Sequence, residues 1–300
     1  MNKRQKLMPK PVTVLQLWEK AKRKKHCTQT GPTSVILPNP SSTNGVVPAG
    51  MWLLPAIHNE HELEHVEDDD WLRLGKGVFE LSGEAGSGKT QIALSLCHRT
   101  AMSTAPNAAG PTAVYLSLGP GRLPKALQRL QQMADSSRTH DPWLFRLLTK
   151  PILQRDDWTH FLREADYLFN RHRETLRLVV VDSLADLVRD DFGQFTHFDR
   201  TTWLLAWVQR CQVLADRYEL TWLLVNQQAT TISKSGVWES KPALGLAWAH
   251  AVQASWICHR SVAGQARRLV LHKSSRFPVG QTAHFTVQNS GVLRVQNKLL

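Results

Sequence analysis

Residues 83–90 read Gly-Glu-Ala-Gly-Ser-Gly-Lys-Thr. This spacing matches G-x-x-x-x-G-K-[ST], a loop whose backbone amides surround phosphate oxygens. The residues divide the chemistry among themselves. Gly83, Gly86 and Gly88 allow backbone turns that side chains obstruct, and the inward-pointing N–H groups of Glu84, Ala85 and Ser87 complete a concave nest for anions. Lys89 is placed to reach the β- and γ-phosphates of a nucleotide, and the Thr90 hydroxyl to reach Mg²⁺. Such a loop works only between a strand that delivers it and a helix whose amino end faces the same anion. Gly77–Ser82 alternates and is β-prone, while Gln91–Arg99 carries apolar residues at helical spacing.

Two downstream segments belong to the same chemistry. Leu178-Val179-Val180-Val181-Asp182 is an apolar strand ending in an acid, the arrangement in which an Asp holds Mg²⁺ beside the loop hydroxyl. Trp222-Leu223-Leu224-Val225-Asn226-Gln227 is a second apolar strand, ending in two amides. Gln227 is placed either to sense a γ-phosphate or to serve as an ordinary turn amide.

From Gly77 onward, apolar strand runs alternate with helical patterns. The strands are Thr112–Leu118, Leu176–Asp182, Thr221–Asn226 and Ala254–His259; the helices are Pro124–Met133, Trp158–Phe169 and Thr201–Arg217. Continuous apolar strands separated by helices predict an α/β fold with a mainly parallel sheet covered on both faces. Arg268–His272, Thr282–Gln288 and Val292–Gln296 are short and alternating, with a turn at Asn289-Ser290-Gly291, and predict an antiparallel extension at one sheet edge.

The first 74 residues differ in character. Thr13–Lys25 has the pattern of a short helix with Val14, Leu15, Leu17 and Trp18 on one side. Residues 28–50 are rich in Pro, Gly, Ser, Thr and Asn and read as linker. Residues 58–70 are rich in His and acids; His58, His61 and His65 share a helical face, compatible with a metal cluster or with plain solvation. Residues 1–74 therefore read as a linker and interaction segment, partly disordered, and 75–300 as the core domain.

The chain has 300 residues, 42% of them hydrophobic, ample for a buried core. Its net charge of +12 points to acidic partners, nucleic acid first. The basic run Lys20–Lys25 is compatible with a nuclear import signal, a DNA-backbone contact or a solvated helix end. Cys27, Cys97, Cys211 and Cys258 have no C-x-x-C spacing, which argues against a disulfide frame or a zinc site. No apolar run approaches bilayer-crossing length, so no membrane association is expected.

GEAGSGKTQ, LVVVDS, LLVNQ and KPALGLAWAH occur in this order at suitable spacing. Together they resemble the ATPase core of the RecA/RadA recombinase superfamily, most closely its eukaryotic recombinase paralogues of the third X-ray-repair cross-complementing type. The resemblance covers about residues 75–296 well and the first 25 weakly. It implies a RecA-like P-loop core that binds ATP with Mg²⁺ at a subunit interface. It further implies nuclear homologous-recombination DNA repair beside a recombinase or other recombinase paralogues, in a hetero-oligomer on single-stranded DNA. Two DNA loops are implied: the first around Arg189–Arg200, with Arg189 and Arg200 as cations; the second over Ala229–Lys241, with Lys234 and Lys241. Two cations per loop predict modest DNA affinity.

The sequence departs from that family at three places. Where ATP-hydrolysing members end the strand after the loop helix in a water-activating Glu, this chain has Gly119, and no Asp or Glu occurs between Glu84 and Asp135. Losing a general base typically costs about 10²–10⁴ in rate, so weak or absent hydrolysis is expected. The family's adenine-stacking Arg falls at Ala126, with Arg122 and Arg129 as nearby substitutes. Lys273 replaces an Asp in the segment that caps a neighbour's ATP, and reads either as a phosphate contact or as a surface lysine. The main reading is an ATP-gated recombination mediator, and its alternative a catalytically active DNA-dependent ATPase or strand-exchange recombinase. A transporter ATPase lacks support because no second Gly-rich signature precedes Asp182, and a kinase lacks a clear Arg-rich lid.

Overall fold

The computed structural model describes residues 74–102, 110, 112–136, 143–186, 197–232, 238–242, 244–260 and 266–295. The Thr13–Lys25 pattern, the basic run, the His-rich stretch, Cys27, Arg189 and Lys234 lie outside them.

Alternation of apolar side chains builds the domain. In the strand Leu178–Asp182 (β4), Val179 and Val181 point into one core while Leu178 and Val180 point into another. In Thr221–Val225 (β5), Trp222 and Leu224 divide from Leu223 and Val225 in the same way. A strand with period-two side chains and no polar face must be covered twice. One face is covered by the helices Arg155–Arg171 (α3), His197–Tyr218 (α4) and Gly245–Ala251 (α5), which follow Lys89–Met102 (α1) and Arg122–Ser136 (α2) on the other.

The remaining strands are Gly77–Gly83 (β1), Ala113–Leu118 (β2), Leu147–Ile152 (β3), Gln228–Ile232 (β6), Trp238–Pro242 (β7), Ala254–Arg260 (β8), Arg267–Ser274 (β9), Thr282–Gln288 (β10) and Gly291–Val295 (β11). Among the described residues the main sheet has nine strands in the order β11-β10-β9-β8-β1-β5-β4-β2-β3. The pairings from β8 through β3 are parallel, and those joining β8, β9, β10 and β11 are antiparallel. This is the expected parallel sheet with its antiparallel extension.

Three elements depart from the sequence reading. β3 adds an edge strand beyond β2, where Pro151 is tolerated because an edge leaves one side of the ladder unpaired. Helix α4 begins at His197, so Arg200 stands in its first turn rather than in a loop; Asp199 in that turn complements the helix dipole. The segment read as a second loop, Ala229–Lys241, contributes to an antiparallel hairpin of β6 and β7, with Ala229 opposite Lys241. Thr230, Thr231 and Ile232 are β-branched, which favours extended backbone there.

Tryptophans fill the core under α3, α4 and α5. Trp158, Trp222 and Trp248 are fully buried, and Trp207 lies 4.8 Å from Trp158 and stacks 5.5 Å from Trp248, centroid to centroid. Cys97, Cys211 and Cys258 are free and buried. No helix of the described residues is long and apolar enough to cross a membrane.

Candidate nucleotide site

The carboxyl ends of the parallel strands converge on one edge of the sheet. β1 delivers the loop Gly83–Thr90, β5 delivers Gln227, β4 delivers Asp182, and β2 delivers Gly119. In open α/β sheets this edge is where ligands bind.

The loop is braced from beneath and open above. Glu84, Ala85 and Gly86 are exposed, whereas Ser87 and Lys89 are buried. The Cys258 thiol donates to the Ser87 carbonyl at 3.0 Å, and the Arg260 N–H donates to Glu84 Oε1 at 2.9 Å, so β8 fixes the loop's height. Gly83 is required here for close approach: a Cβ on it would stand 2.3 Å from the Cys258 carbonyl oxygen. The Lys89 ammonium donates to the Gly83 and Glu84 carbonyls at 2.8 and 2.7 Å. Those carbonyls occupy donor sites that phosphate oxygens would take. Burial pulls the Lys89 pKa below its ordinary value, opposed by the nearby Cys258, Asp182 and Glu84.

Asp182 is buried at the end of β4. Its Oδ2 accepts from the Tyr115 hydroxyl at 2.9 Å, and Thr90 also donates to the carboxyl, while Oδ1 has no hydrogen-bond donor among the described residues. Burial raises its pKa, against the hydrogen bonds of Thr90 and Tyr115 and the charges of Arg122 and Lys89. A buried carboxylate oxygen without a partner, beside a hydroxyl, fits a hard divalent cation that keeps several of its waters, as Mg²⁺ does. Among the described residues no group of three or more His, Cys, Asp or Glu is arranged to hold a metal.

Tyr115 and Asp186 are the residues that sequence reasoning missed. Tyr115 sits in a largely apolar strand, and the β2–β4 register, with Tyr115 opposite Val180 and Ser117 opposite Asp182, brings its hydroxyl to the acid. Asp186 follows β4 by one helical turn, its N–H donating to the Ser183 carbonyl at 3.1 Å. Ser183 Oγ donates to Asp186 Oδ2, Arg122 pairs with Oδ2 at 2.7 Å, and Gln227 Nε2 donates to Oδ1 at 3.1 Å. The Ser-x-x-Asp spacing at 183–186 was the available signal, a local side-chain pairing of the capping-box type.

Other expectations fare unevenly. Gln227 does reach the shared edge, beside Asp186. Arg129 instead ties α2 to the β10–β11 turn, donating to Gln91 Oε1 at 2.6 Å, to the Asn289 carbonyl at 3.2 Å and to the Gln288 carbonyl. Arg122 is paired with Asp186, and Ala126 is buried, so all three positions are committed to the fold. Lys273 is not an idle surface lysine: its ammonium donates to the Ala249, His250 and Val252 carbonyls at 2.6, 3.1 and 2.6 Å, closing the carboxyl end of α5.

A nine-stranded, largely parallel sheet with a phosphate-type loop, a Mg²⁺-type acid and a terminal amide on adjacent strands defines a RecA-like P-loop core. The sequence profile of the Rad51 family matches residues 74–295, and the chain belongs to that family. Two DNA repair proteins are similar to it in sequence: XRCC3 of Bos taurus, 27% identical over 187 residues, and an XRCC3 homolog of Arabidopsis thaliana, 22% identical over 268. The first match covers 58% of this chain and the second 73%. The chain spans about half (54%) of the bovine protein's length and 86% of the Arabidopsis one. It is thus a Rad51 paralogue resembling XRCC3, from a family whose fold implies nucleotide binding.

Proposed function

We propose that this chain is an ATP-binding recombinase paralogue acting in homologous-recombination DNA repair, as a mediator on single-stranded DNA. Gly83, Glu84, Ala85, Gly86, Ser87, Gly88 and Lys89 hold the phosphates, Thr90 and Asp182 hold Mg²⁺, and Gln227 registers the terminal phosphate. The observation that carries this reading is the braced, outward-open loop, with Lys89 and the unpartnered Asp182 oxygen at its floor. Mg²⁺, when bound, would neutralise charge on the phosphate oxygens.

Gly119 bears no group able to take a proton, so turnover is slow and ATP works chiefly by mass action, stabilising whichever assembly binds it. Arg189, Arg200, Lys234 and Lys241 contact the DNA backbone. The partners are recombinase-family subunits in a nuclear hetero-oligomer, with residues 1–74 serving as the docking segment, and Val14 and Leu17 as its anchors.

Two experiments test this. A fluorescent ATP analogue with Mg²⁺ should bind the purified chain and lose affinity in Lys89→Ala; equal binding by both proteins rejects the site. Co-purification from cells with mass spectrometry should recover recombinase-family subunits, and their absence rejects the mediator role. The alternative reading, an active DNA-dependent ATPase or recombinase, draws on one observation, the carboxylate beside Gly119. Single-turnover hydrolysis with and without single-stranded DNA separates the two.

A further inference from the structure

The strand that should end in an acid ends in Gly119, yet the space in front of Gly119 contains a carboxylate. A Cβ built on Gly119 lies 3.7 Å from the Asp186 Cβ, with Arg122 Nε and Cδ at 3.8 and 3.9 Å. A side chain at position 119 would therefore stand directly against Asp186 and Arg122. Asp186 arrives there from the neighbouring strand, through the turn that follows Asp182.

We infer that Asp186 is the water-orienting carboxylate of this site, supplied by β4 in place of a residue on β2. This rests on the nucleotide-binding reading above.

The geometry supports the assignment in three ways. First, Asp186 is buried and held by three donors from three elements: Ser183 after β4, Arg122 on α2 and Gln227 after β5. A carboxylate fixed from three directions is pre-organised, which is what positioning a small nucleophile demands. Second, its Oδ1 shares a hydrogen bond with the Gln227 amide, the group at the end of the strand adjacent to β1. Third, Arg122 lies close enough to act electrostatically on both Lys89 and Asp182, so the Arg122–Asp186 pair borders the loop and does not sit on a remote surface. In-line displacement places the attacking water on the side of the terminal phosphorus away from the bridging oxygen. With the loop gripping the phosphates over β1, the outer side is the one lined by Gln227 and Asp186.

The step balances with water as the only co-reactant. The water oxygen forms a bond to the terminal phosphorus of the nucleoside triphosphate. The bond from that phosphorus to the bridging oxygen breaks, its electron pair leaving with the diphosphate. One water proton passes to Asp186 Oδ1 and from there to solvent. Aspartate is one methylene shorter than glutamate, and its Oδ2 is engaged by Ser183 and Arg122. Both features reduce its reach, so the turnover it sustains is slow, in keeping with a mainly ATP-binding protein.

The test is single-turnover hydrolysis of ATP with Mg²⁺ by the full chain, alongside affinity for a fluorescent ATP analogue, with Lys89→Ala as background. Asp186→Asn keeps the shape and an acceptor oxygen but removes the charge. It is expected to lower the rate about 10- to 100-fold, the low end of general-base losses, with affinity within about threefold. Asp186→Glu is expected to retain a measurable fraction, because the carboxylate survives. If the parent binds but Asp186→Asn hydrolyses at the parent rate, the inference fails while the nucleotide site stands. If the parent binds with no hydrolysis above background, the inference fails as well. If the parent does not bind, the reading of the loop itself fails.

Discussion

The two halves of the strand-end edge are built on different principles. Over β1 and β8, the proposed grip on phosphate is made of backbone: loop amides and glycine geometry, with Cys258 and Arg260 as braces. Over β2 and β4, the chemistry rests on single side chains, Asp182, Asp186, Arg122 and Tyr115, that meet only in the folded protein. A backbone site tolerates most side-chain changes and fails only where a glycine that shapes it, such as Gly83, is replaced. A side-chain site can shift its acid from one strand to the next while the sheet stays unchanged. On the proposed assignment of Asp186, binding and turnover are separable properties of this fold, and Gly119 marks the seam between them.

The comparison is most sharply tested at Gly83. Alanine there meets the Cys258 carbonyl at 2.3 Å on backbone already at φ +152°. Gly83→Ala should cost about 3–5 kcal/mol through overpacking and strain together, read by chemical denaturation, and should abolish nucleotide binding. Lys89→Ala should leave the fold intact and weaken nucleotide binding about 10- to 100-fold in an analogue titration, the scale of one charged hydrogen-bonding group. A larger loss of stability than of affinity would show that the lysine serves the loop and not the ligand.

Gly119→Ala probes the other half. With φ at +89° and only ordinary contacts around the new Cβ, it should cost about 1–3 kcal/mol of stability and leave nucleotide affinity unchanged. An affinity drop would mean that the two halves are not separable. The smallest effect is expected at Glu80, whose carboxyl burial pushes above its ordinary value of 4.5, against hydrogen bonds from Asn226 and Trp248 and the charges of His272 and Lys273. A carboxyl with a raised folded-state pKa holds more protons folded than unfolded between the two values, so its contribution declines as pH rises through that window. Glu80→Gln keeps an acceptor for both donors. Its Tm should match the parent's below about pH 4.5 and exceed it increasingly at higher pH; a constant difference would refute the assignment.

Local order explains what the sequence disclosed. The loop and the acid at Asp182 were legible because each constraint acts within a few residues: glycines at fixed offsets, or an apolar run ending in a charge. The parallel sheet was legible from the apolar runs themselves. Asp186 was not, because its importance depends on two strand ends meeting. β3 was hidden by Pro151 and by an edge position that requires no continuous apolar run. The β6–β7 hairpin was hidden by polar residues such as Thr230, Thr231 and Ser240, which in sequence look like a loop. Lys273 shows the reverse case: the sequence left it open between a phosphate contact and a surface lysine, and neither option foresaw the three carbonyls at the end of α5 that its ammonium meets.

One oxygen of Glu80 accepts from both Asn226 Nδ2 at 2.7 Å and Trp248 Nε1 at 2.8 Å. Asn226 stands just before the β6–β7 hairpin and Trp248 just after it, while Glu80 lies three residues ahead of the loop glycine that contacts β8. Both feet of the hairpin are thus pinned to a single atom on the strand that carries the phosphate grip. A small slide of β1 would carry those feet together, as a rocker turns on one pivot.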